Sequence, residues 1–329
     1  MTVHDYPILI VGRLHAHAAA RLREIFPVVQ IDGPDVALAS EEDRQRIRGI
    51  AVTTGLKASA LDAAFASAFP KLEIMSSFGV GYDHIDADDM AKLGLVVTNT
   101  PDVLSDEVAD TAVGLLLNTV RELPKAERWL REGNWTTKGP YPLTRGTLRG
   151  RSVGIFGLGR IGLAIARRLE AFGLPISYHN RRPVADIAYR YHASLTELAQ
   201  AVDTLICVAP GDASTDKAIN TEVLKALGSE GVFINVGRGS SVDEDALAQA
   251  LADGTIMAAG LDVFAHEPHV PETLLNAENA TLLPHVASAS QATRQAMADL
   301  VVDNLIEWVE RGRALTPVAE TRNFAVRKT

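Results

Sequence analysis

The chain has 329 residues, 47% of them hydrophobic and 22% charged, with a formal net charge of −9. That balance is ordinary for a globular protein of about two domains; the negative charge and the lack of any Lys/Arg block argue against a nucleic-acid surface, and no apolar run approaches the roughly 20 residues that span a bilayer. The single cysteine, Cys207, excludes an internal disulfide, and Met1–Asp5 lacks a basic, cleavable leader, so no membrane attachment and a cytoplasmic location are expected.

In chain order, Ile8–Val11, Ile50–Thr53, Leu72–Ser76 and Leu95–Thr98 read as strands, with helical patterns between them such as Ala16–Phe26 and Ala58–Phe69, the latter closed by Pro70. Two helical stretches follow, near 105–121, with Ser105 as its cap, and near 124–132. Strands at 153–156, 176–179, 204–208, 232–236, 259–263 and 281–283 then alternate with helix-length segments, and a long helix from Gln291 to Arg311 stops at Gly312. Such alternation implies parallel, doubly wound sheets. The expected fold class is therefore α/β with two such domains: a Rossmann cofactor domain over 102–286, including the interdomain helices, and a discontinuous flavodoxin-like substrate domain from 1–101 plus 287–329.

The most informative motif lies between the strand at 153–156 and the helix that follows it: Gly157-Leu158-Gly159-Arg160-Ile161-Gly162. A G-x-G-x-x-G turn in this setting is where a dinucleotide pyrophosphate sits, on backbone N–H groups at a helix start. Ile161, Ile165, Leu169 and Phe172 recur at helical spacing after it, and Ile176–His179 completes a β-α-β unit. At the end of that second strand an NAD-binding fold keeps an acidic residue for the ribose 2′-hydroxyl. Here the chain has Asn180-Arg181-Arg182, neutral and then doubly cationic, which suits a 2′-phosphate. NADP(H) is the expected cofactor, with NAD(H) as the alternative.

In open α/β sheets ligands bind beyond the carboxyl ends of the strands. Past three late strands stand Gly237-Arg238-Gly239, His266-Glu267-Pro268 and Pro284-His285. An Arg can hold a carboxylate bidentately and polarise the adjacent carbonyl, a His can donate a proton, and a carboxylate beside the His favours its charged form and orients it. Arg238, Glu267 and His285 are thus the candidate catalytic set for carbonyl reduction. His266 and His269 have His-x-x-His spacing, but Pro268 between them disfavours the helix that would align them, so no metal site is expected.

These motifs, with Ser77-Phe78-Gly79-Val80-Gly81-Tyr82-Asp83, Asn99-Thr100-Pro101-Asp102, Asn235-Val236-Gly237-Arg238-Gly239 and Gly260-Leu261-Asp262-Val263-Phe264, run through nearly the whole chain. In this order the chain resembles the D-isomer-specific 2-hydroxyacid dehydrogenases, and within them the glyoxylate/hydroxypyruvate reductases. The resemblance implies NADPH-dependent reduction of glyoxylate to glycolate and hydroxypyruvate to D-glycerate, with Arg238 on the substrate, Glu267 supporting the histidine, and His285 as acid/base. It places the substrate carboxylate on the amides of Val80 and Gly81. It assigns cofactor contacts to Leu158, Gly159, Arg160 and Ile161 in the glycine turn, to Val208, Ala209, Pro210 and Thr215 in one loop, and to Val236, Asp262 and Ala287 at later strand ends; Thr111 is a further carry-over. It also implies a homodimer, with the stretch near Trp135 to Tyr141 on the partner. Hydroxyphenylpyruvate reductases share much of this pattern and are the alternative, as are other D-2-hydroxyacid dehydrogenases. A remoter one is a nicotinamide-sensing, corepressor-like binding protein. Formate dehydrogenases resemble the family with Gln where this chain has Glu267.

Overall fold

The structure is a computed structural model and describes residues 2–326. The chain divides into two compact units, Met1–Leu104 with Ser290–Thr329, and Ser105–Ala289. The two crossings fall a few residues beyond those read from the sequence.

The first unit is built on five strands, β1 (Ile8–Val11), β2 (Val28–Ile31), β3 (Gly49–Thr53), β4 (Ile74–Phe78) and β5 (Val96–Thr98), all parallel in the order β2-β1-β3-β4-β5. This is the flavodoxin-like order. Strands β1, β4 and β5 are buried along their whole length, as expected of a sheet covered on both faces. One face packs Leu9, Val11, Ile50, Val52, Met75 and Val97 against Phe65, Phe69 and Met90. The helices Ala16–Ile25 and Gln291–Arg311 pack together, and the second lies on β4. Arg21 ties this pair by bonding Asp299 at 2.6 Å and Asp303 at 3.0 Å.

The second unit holds seven strands, β6 (Val153–Phe156), β7 (Ile176–His179), β8 (Arg190–Tyr191), β9 (Thr204–Cys207), β10 (Val232–Asn235), β11 (Ala258–Leu261) and β12 (Ala280–Leu282). They are parallel in the order β12-β11-β10-β9-β6-β7-β8, a Rossmann sheet with one strand added at the β12 edge. The topological switch falls between β6 and β9. At the opposite, amino edge the buried Arg151 donates to Thr204 Oγ1 at 2.8 Å and to the carbonyls of Asp203 and Glu230 at 2.6 Å. The helix Ser105–Arg121 covers β10 and β11 and packs on the helix Arg160–Glu170. Among the described residues no helix is long and apolar enough to cross a membrane.

Four sequence readings change. Ser105 opens its helix and does not cap it, since its buried hydroxyl makes no hydrogen bond among the described residues. The expected Ala58–Phe69 helix shrinks to Ala63–Ser67, because Asp62 caps it by accepting the Phe65 amide at 2.8 Å. The residues before it spend their amides elsewhere, Ser59 on the Asp83 carbonyl and Leu61 on that of His84. The strand read at Leu72–Ser76 runs two residues later, since the Leu72 amide closes a turn onto Phe69. Two edge strands, β2 and β8, were not read at all; both are partly exposed and carry no continuous apolar run.

Past its last long helix the chain returns along β5, and a buried Asn304 holds it there. Its Oδ1 accepts the amides of Leu315 and Thr316, both at 3.0 Å, and its Nδ2 donates to the Leu300 carbonyl at 2.8 Å and to Thr316 Oγ1 at 2.9 Å. Replacing Asn304 by Leu leaves two amides without their acceptor and is expected to cost about 2–4 kcal/mol. Urea denaturation followed by circular dichroism checks this, and an unchanged midpoint would contradict it.

Candidate active site

In the second unit the sequence-predicted groups, apart from Thr111 on the helix Ser105–Arg121, follow the carboxyl ends of the strands. The glycine turn leaves β6. Gly157 has φ +100°, and a β-carbon there would lie 2.6 Å from the Ala209 amide nitrogen. At Gly162 a β-carbon would lie 2.5 Å from the Gly157 carbonyl oxygen, so helix and strand meet backbone to backbone. Gly159 differs: no atom lies within 4 Å of the place its β-carbon would take. The helix Arg160–Glu170 begins there without a side-chain cap. Packed glycines on either side of an open one, at an uncapped helix start, fit a dinucleotide pyrophosphate.

Asn180, at the end of β7, turns its carboxamide onto this turn. Its Oδ1 accepts the Leu158 amide at 2.6 Å and its Nδ2 donates to the Leu158 carbonyl at 3.3 Å. The turn that follows is stapled by Tyr178, which accepts the Val184 amide at 2.9 Å, and by Tyr191, which donates to the Asn180 carbonyl at 3.3 Å. Arg181 and Arg182 are exposed. Across the switch point lies the loop after β9, Val208–Thr215, whose shape Thr215 sets by donating to the Pro210 carbonyl at 2.7 Å and accepting the Asp212 amide at 3.0 Å. The Asp212 carboxyl is held below its usual range, mainly by the Ser214 hydroxyl and further by the charge of Arg181. Cys207, at the end of β9, is wholly buried, and burial pushes its thiol up to about 12; it offers no thiolate.

After β10, Asn235 shapes the Gly237-Arg238 turn by accepting the Gly237 amide and donating to the Arg238 carbonyl, both at 3.0 Å. Gly237 and Gly239 have no room for a β-carbon: one would lie 2.8 Å from the Ala209 carbonyl oxygen, the other 1.8 Å from the Phe264 carbonyl carbon. Arg238 Nη1 donates to the Gly237 carbonyl at 2.9 Å.

His285 Nδ1 lies 2.7 Å from Glu267 Oε2, while Glu267 Oε1 accepts the Phe264 amide at 3.0 Å. Burial raises the Glu267 pKa, but the bonds from His285 and Phe264 and the charges of His285 and Arg238 outweigh it, and the carboxyl falls below its usual range. An ionised carboxylate only accepts, so the His285 Nδ1 carries the proton it shares with Glu267 and Nε2 is left for exchange. His285 sits at φ +53°, a conformation uncommon outside glycine and asparagine. The buried Asp262 holds it: its backbone carbonyl accepts the His285 amide at 2.8 Å, and its two carboxylate oxygens accept the amides of Val286 at 2.8 Å and Ala287 at 2.9 Å. Burial raises the Asp262 pKa against those two bonds. Thr111 donates to the Ala287 carbonyl at 3.2 Å. The clamp on the His285 turn is a feature the motif alone does not reveal. His266 and His269 face each other across a tight turn, with the His269 amide on the His266 carbonyl at 2.8 Å.

Val80 and Gly81 belong to the first unit, in the loop that leaves the carboxyl end of β4.

Residues 113–287 match the family model for the D-isomer specific 2-hydroxyacid dehydrogenase NAD binding domain. A glyoxylate/hydroxypyruvate reductase of Arabidopsis thaliana is 46% identical over 285 residues, covering 87% of this chain and 90% of its own. A hydroxyphenylpyruvate reductase of Plectranthus scutellarioides is 48% identical over 269 residues, 82% of this chain and 85% of its own. Among solved structures, the NADPH-dependent glyoxylate/hydroxypyruvate reductase of Sinorhizobium meliloti, in complex with NADP and malonate, is 56% identical, covers 99% of both chains and superposes with a TM-score of 0.93. With its two parallel sheets, its glycine turn and its Arg, Glu and His at consecutive strand ends, the chain belongs to the D-isomer-specific 2-hydroxyacid dehydrogenases, a family of oxidoreductases.

Proposed function

We propose that this chain reduces small 2-oxo acids to D-2-hydroxy acids with NADPH, glyoxylate to glycolate and hydroxypyruvate to D-glycerate. The observation that carries the reading is the His285–Glu267 couple, 2.7 Å apart, on the same sheet edge as the glycine turn. NADPH, when bound, supplies the hydride to the carbonyl carbon.

The chain's own residues do the rest. Arg238 takes the substrate carboxylate and polarises the adjacent carbonyl, and the Val80 and Gly81 amides take the carboxylate as well. His285 Nε2 gives its proton to the carbonyl oxygen as that oxygen gains charge, and Glu267 stabilises the imidazolium that must be present beforehand. Asp262 keeps the ring in place by holding the amides of His285 and of the two residues after it. In the oxidation direction the same Nε2 accepts the proton of the hydroxyl.

The amides of the glycine turn hold the pyrophosphate, and Arg181 and Arg182 hold the 2′-phosphate. Asn180 replaces the carboxylate that would repel that phosphate and uses its amide to brace Leu158. The relative that reduces hydroxyphenylpyruvate supports a second reading, an aromatic 2-oxo acid in the same chemistry. The proposed partner is a second copy of the chain: Leu130, Trp135 and Leu143 present exposed apolar side chains in one stretch. The proposed location is the cytoplasm.

Steady-state rates with glyoxylate, hydroxypyruvate, pyruvate and phenylpyruvate test the reading. Glyoxylate and hydroxypyruvate are expected to be preferred, and His285→Ala is expected to lower kcat by about 10²–10⁴-fold with the NADPH dissociation constant unchanged. Undiminished turnover in that variant would remove His285 from the chemistry.

The Glu267 carboxyl sits below its unfolded value near 4.5, so the contribution of its ionised form is fully present above about pH 4.5 and is lost as pH falls through the lower, folded value. Glu267→Gln, which cannot ionise, is expected to lose about 10²-fold in kcat at pH 7. It should also lack the acid loss that the parent shows below pH 4.5; a retained acid limb would assign that titration to another group. Replacing Arg181 and Arg182 together by Ala is expected to raise the KM for NADPH about 10- to 100-fold and to leave that for NADH unchanged. Equal effects on both cofactors would refute the phosphate assignment.

A further inference from the structure

Two backbone amides can grip a carboxylate only if something holds their peptide in one orientation. In the first unit β4 runs into Gly79, whose φ of +153° and whose β-carbon position, 2.5 Å from Thr54 Cγ2, admit only glycine. The loop then passes Val80 and Gly81. Among the described residues neither of these amides donates a hydrogen bond to the protein. Glycine at 81 leaves the Val80–Gly81 peptide free to rotate as a plate, since one of its two flanking dihedrals meets almost no steric barrier.

The carbonyl of that peptide is fastened. Asn99 Nδ2 donates to the Val80 carbonyl at 2.8 Å. The peptide is trans and planar, so its N–H points opposite to its C=O. Fixing the Val80 oxygen toward Asn99 therefore turns the Gly81 N–H away from Asn99. Asn99 itself is anchored through its backbone. Its carbonyl accepts from Thr316 Oγ1 at 2.6 Å and its amide donates to the Thr316 carbonyl at 3.3 Å. Thr316 is bonded twice to the buried Asn304, through its amide at 3.0 Å and its hydroxyl at 2.9 Å. On the next residue, the Thr100 amide donates to the Gly79 carbonyl at 2.9 Å. The far side of the loop closes where Ser77 Oγ lies 3.1 Å from His84 Nε2.

We infer that Asn99 is a positioning residue for substrate recognition: by holding the Val80 carbonyl it aims the Gly81 amide at the substrate carboxylate, with Thr316 and Asn304 as its anchor. This rests on the reading that the Val80 and Gly81 amides take that carboxylate. Asn99 touches no reacting atom. Its effect falls on binding of the 2-oxo acid and leaves the cofactor site alone.

Asn99→Asp is the same size but cannot donate, and it sets a carboxylate against the Val80 carbonyl. It is expected to raise the KM for glyoxylate about tenfold, with kcat changed less than threefold, the KM for NADPH unchanged and the thermal midpoint within a few degrees of the parent. Thr316→Val, which removes the two hydroxyl bonds of the anchor and leaves its backbone bonds and the donor, is expected to raise the same KM by a smaller factor, and it serves if the first variant does not fold. Gly81→Pro, which deletes the amide, separates the two levels of the argument. If Gly81→Pro raises the glyoxylate KM and neither Asn99→Asp nor Thr316→Val does, the positioning role is overturned while the carboxylate reading stands. If none of the three moves it, that reading falls, and the inference with it. A lowered thermal midpoint in Asn99→Asp with an unmoved glyoxylate KM would make Asn99 a structural residue only and overturn the inference.

Discussion

Close backbone contact at the carboxyl edge of the second sheet is the constraint from which the site follows. Ala209, in the loop just after β9, is flanked by two glycines: a β-carbon on Gly157 would lie 2.6 Å from its nitrogen, and one on Gly237 would lie 2.8 Å from its oxygen. Gly239 then meets the Phe264 carbonyl, in the loop after β11, in the same way. Four neighbouring strand ends, those of β6, β9, β10 and β11, are thereby brought together without intervening side chains. Glycine costs conformational entropy wherever it is used, so a run of such contacts is retained only where the backbone itself must come near. The space left free lies over Gly159 and the start of its helix, where an anion can reach main-chain N–H groups.

The His285–Glu267 pair depends on a second layer of polar contacts. His285 adopts a backbone conformation that costs an L-residue roughly 1 kcal/mol or more, and the cost is offset by three bonds from its turn to Asp262, which is itself fully buried. Asp262 thus fixes the backbone that carries the imidazole bonded to Glu267. Glu267 is tied in turn to the loop that Gly239 admits, through the Phe264 amide. Backbone approach, loop placement and the Glu267–His285 contact are consecutive consequences of one packing arrangement. In the first unit the same logic runs through polar anchors, from Asn304 to Thr316 to Asn99 and so to the loop leaving β4.

Much of this was legible in the residues. Buried parallel strands advertise themselves as mostly apolar runs, so β1, β6, β9, β10 and β11 could be read within one or two residues, whereas the edge strands β2 and β8, half in water, carried no such signal. The Ala58–Phe69 segment shows how composition misleads: its alanines favour a helix, yet Asp62 captures the Phe65 amide and the preceding residues pair with the loop at 83–84. Asn180 could be recognised as the neutral replacement for an acid. Its two bonds to Leu158, which join the segment after β7 to the glycine turn, could not, because they link residues that meet only after β6 and β7 pair.

The sequence by itself determined the fold class, the strand alternation, the glycine turn, the doubly cationic segment after β7 and the identity of Arg238, Glu267 and His285. These are local properties: they depend on apolar periodicity, on conformations only glycine adopts, and on side-chain chemistry at fixed offsets from strand ends. The tertiary structure decided which of those residues touch. It set the 2.7 Å contact between Glu267 and His285, the double use of Asp262 on the turn behind the ring, and the hold of Asn99 on the Val80 carbonyl. Each of these is a hydrogen bond between groups 18 to 25 residues apart in the chain, and bonds of that kind exist only once the strands have paired and brought their ends to one edge.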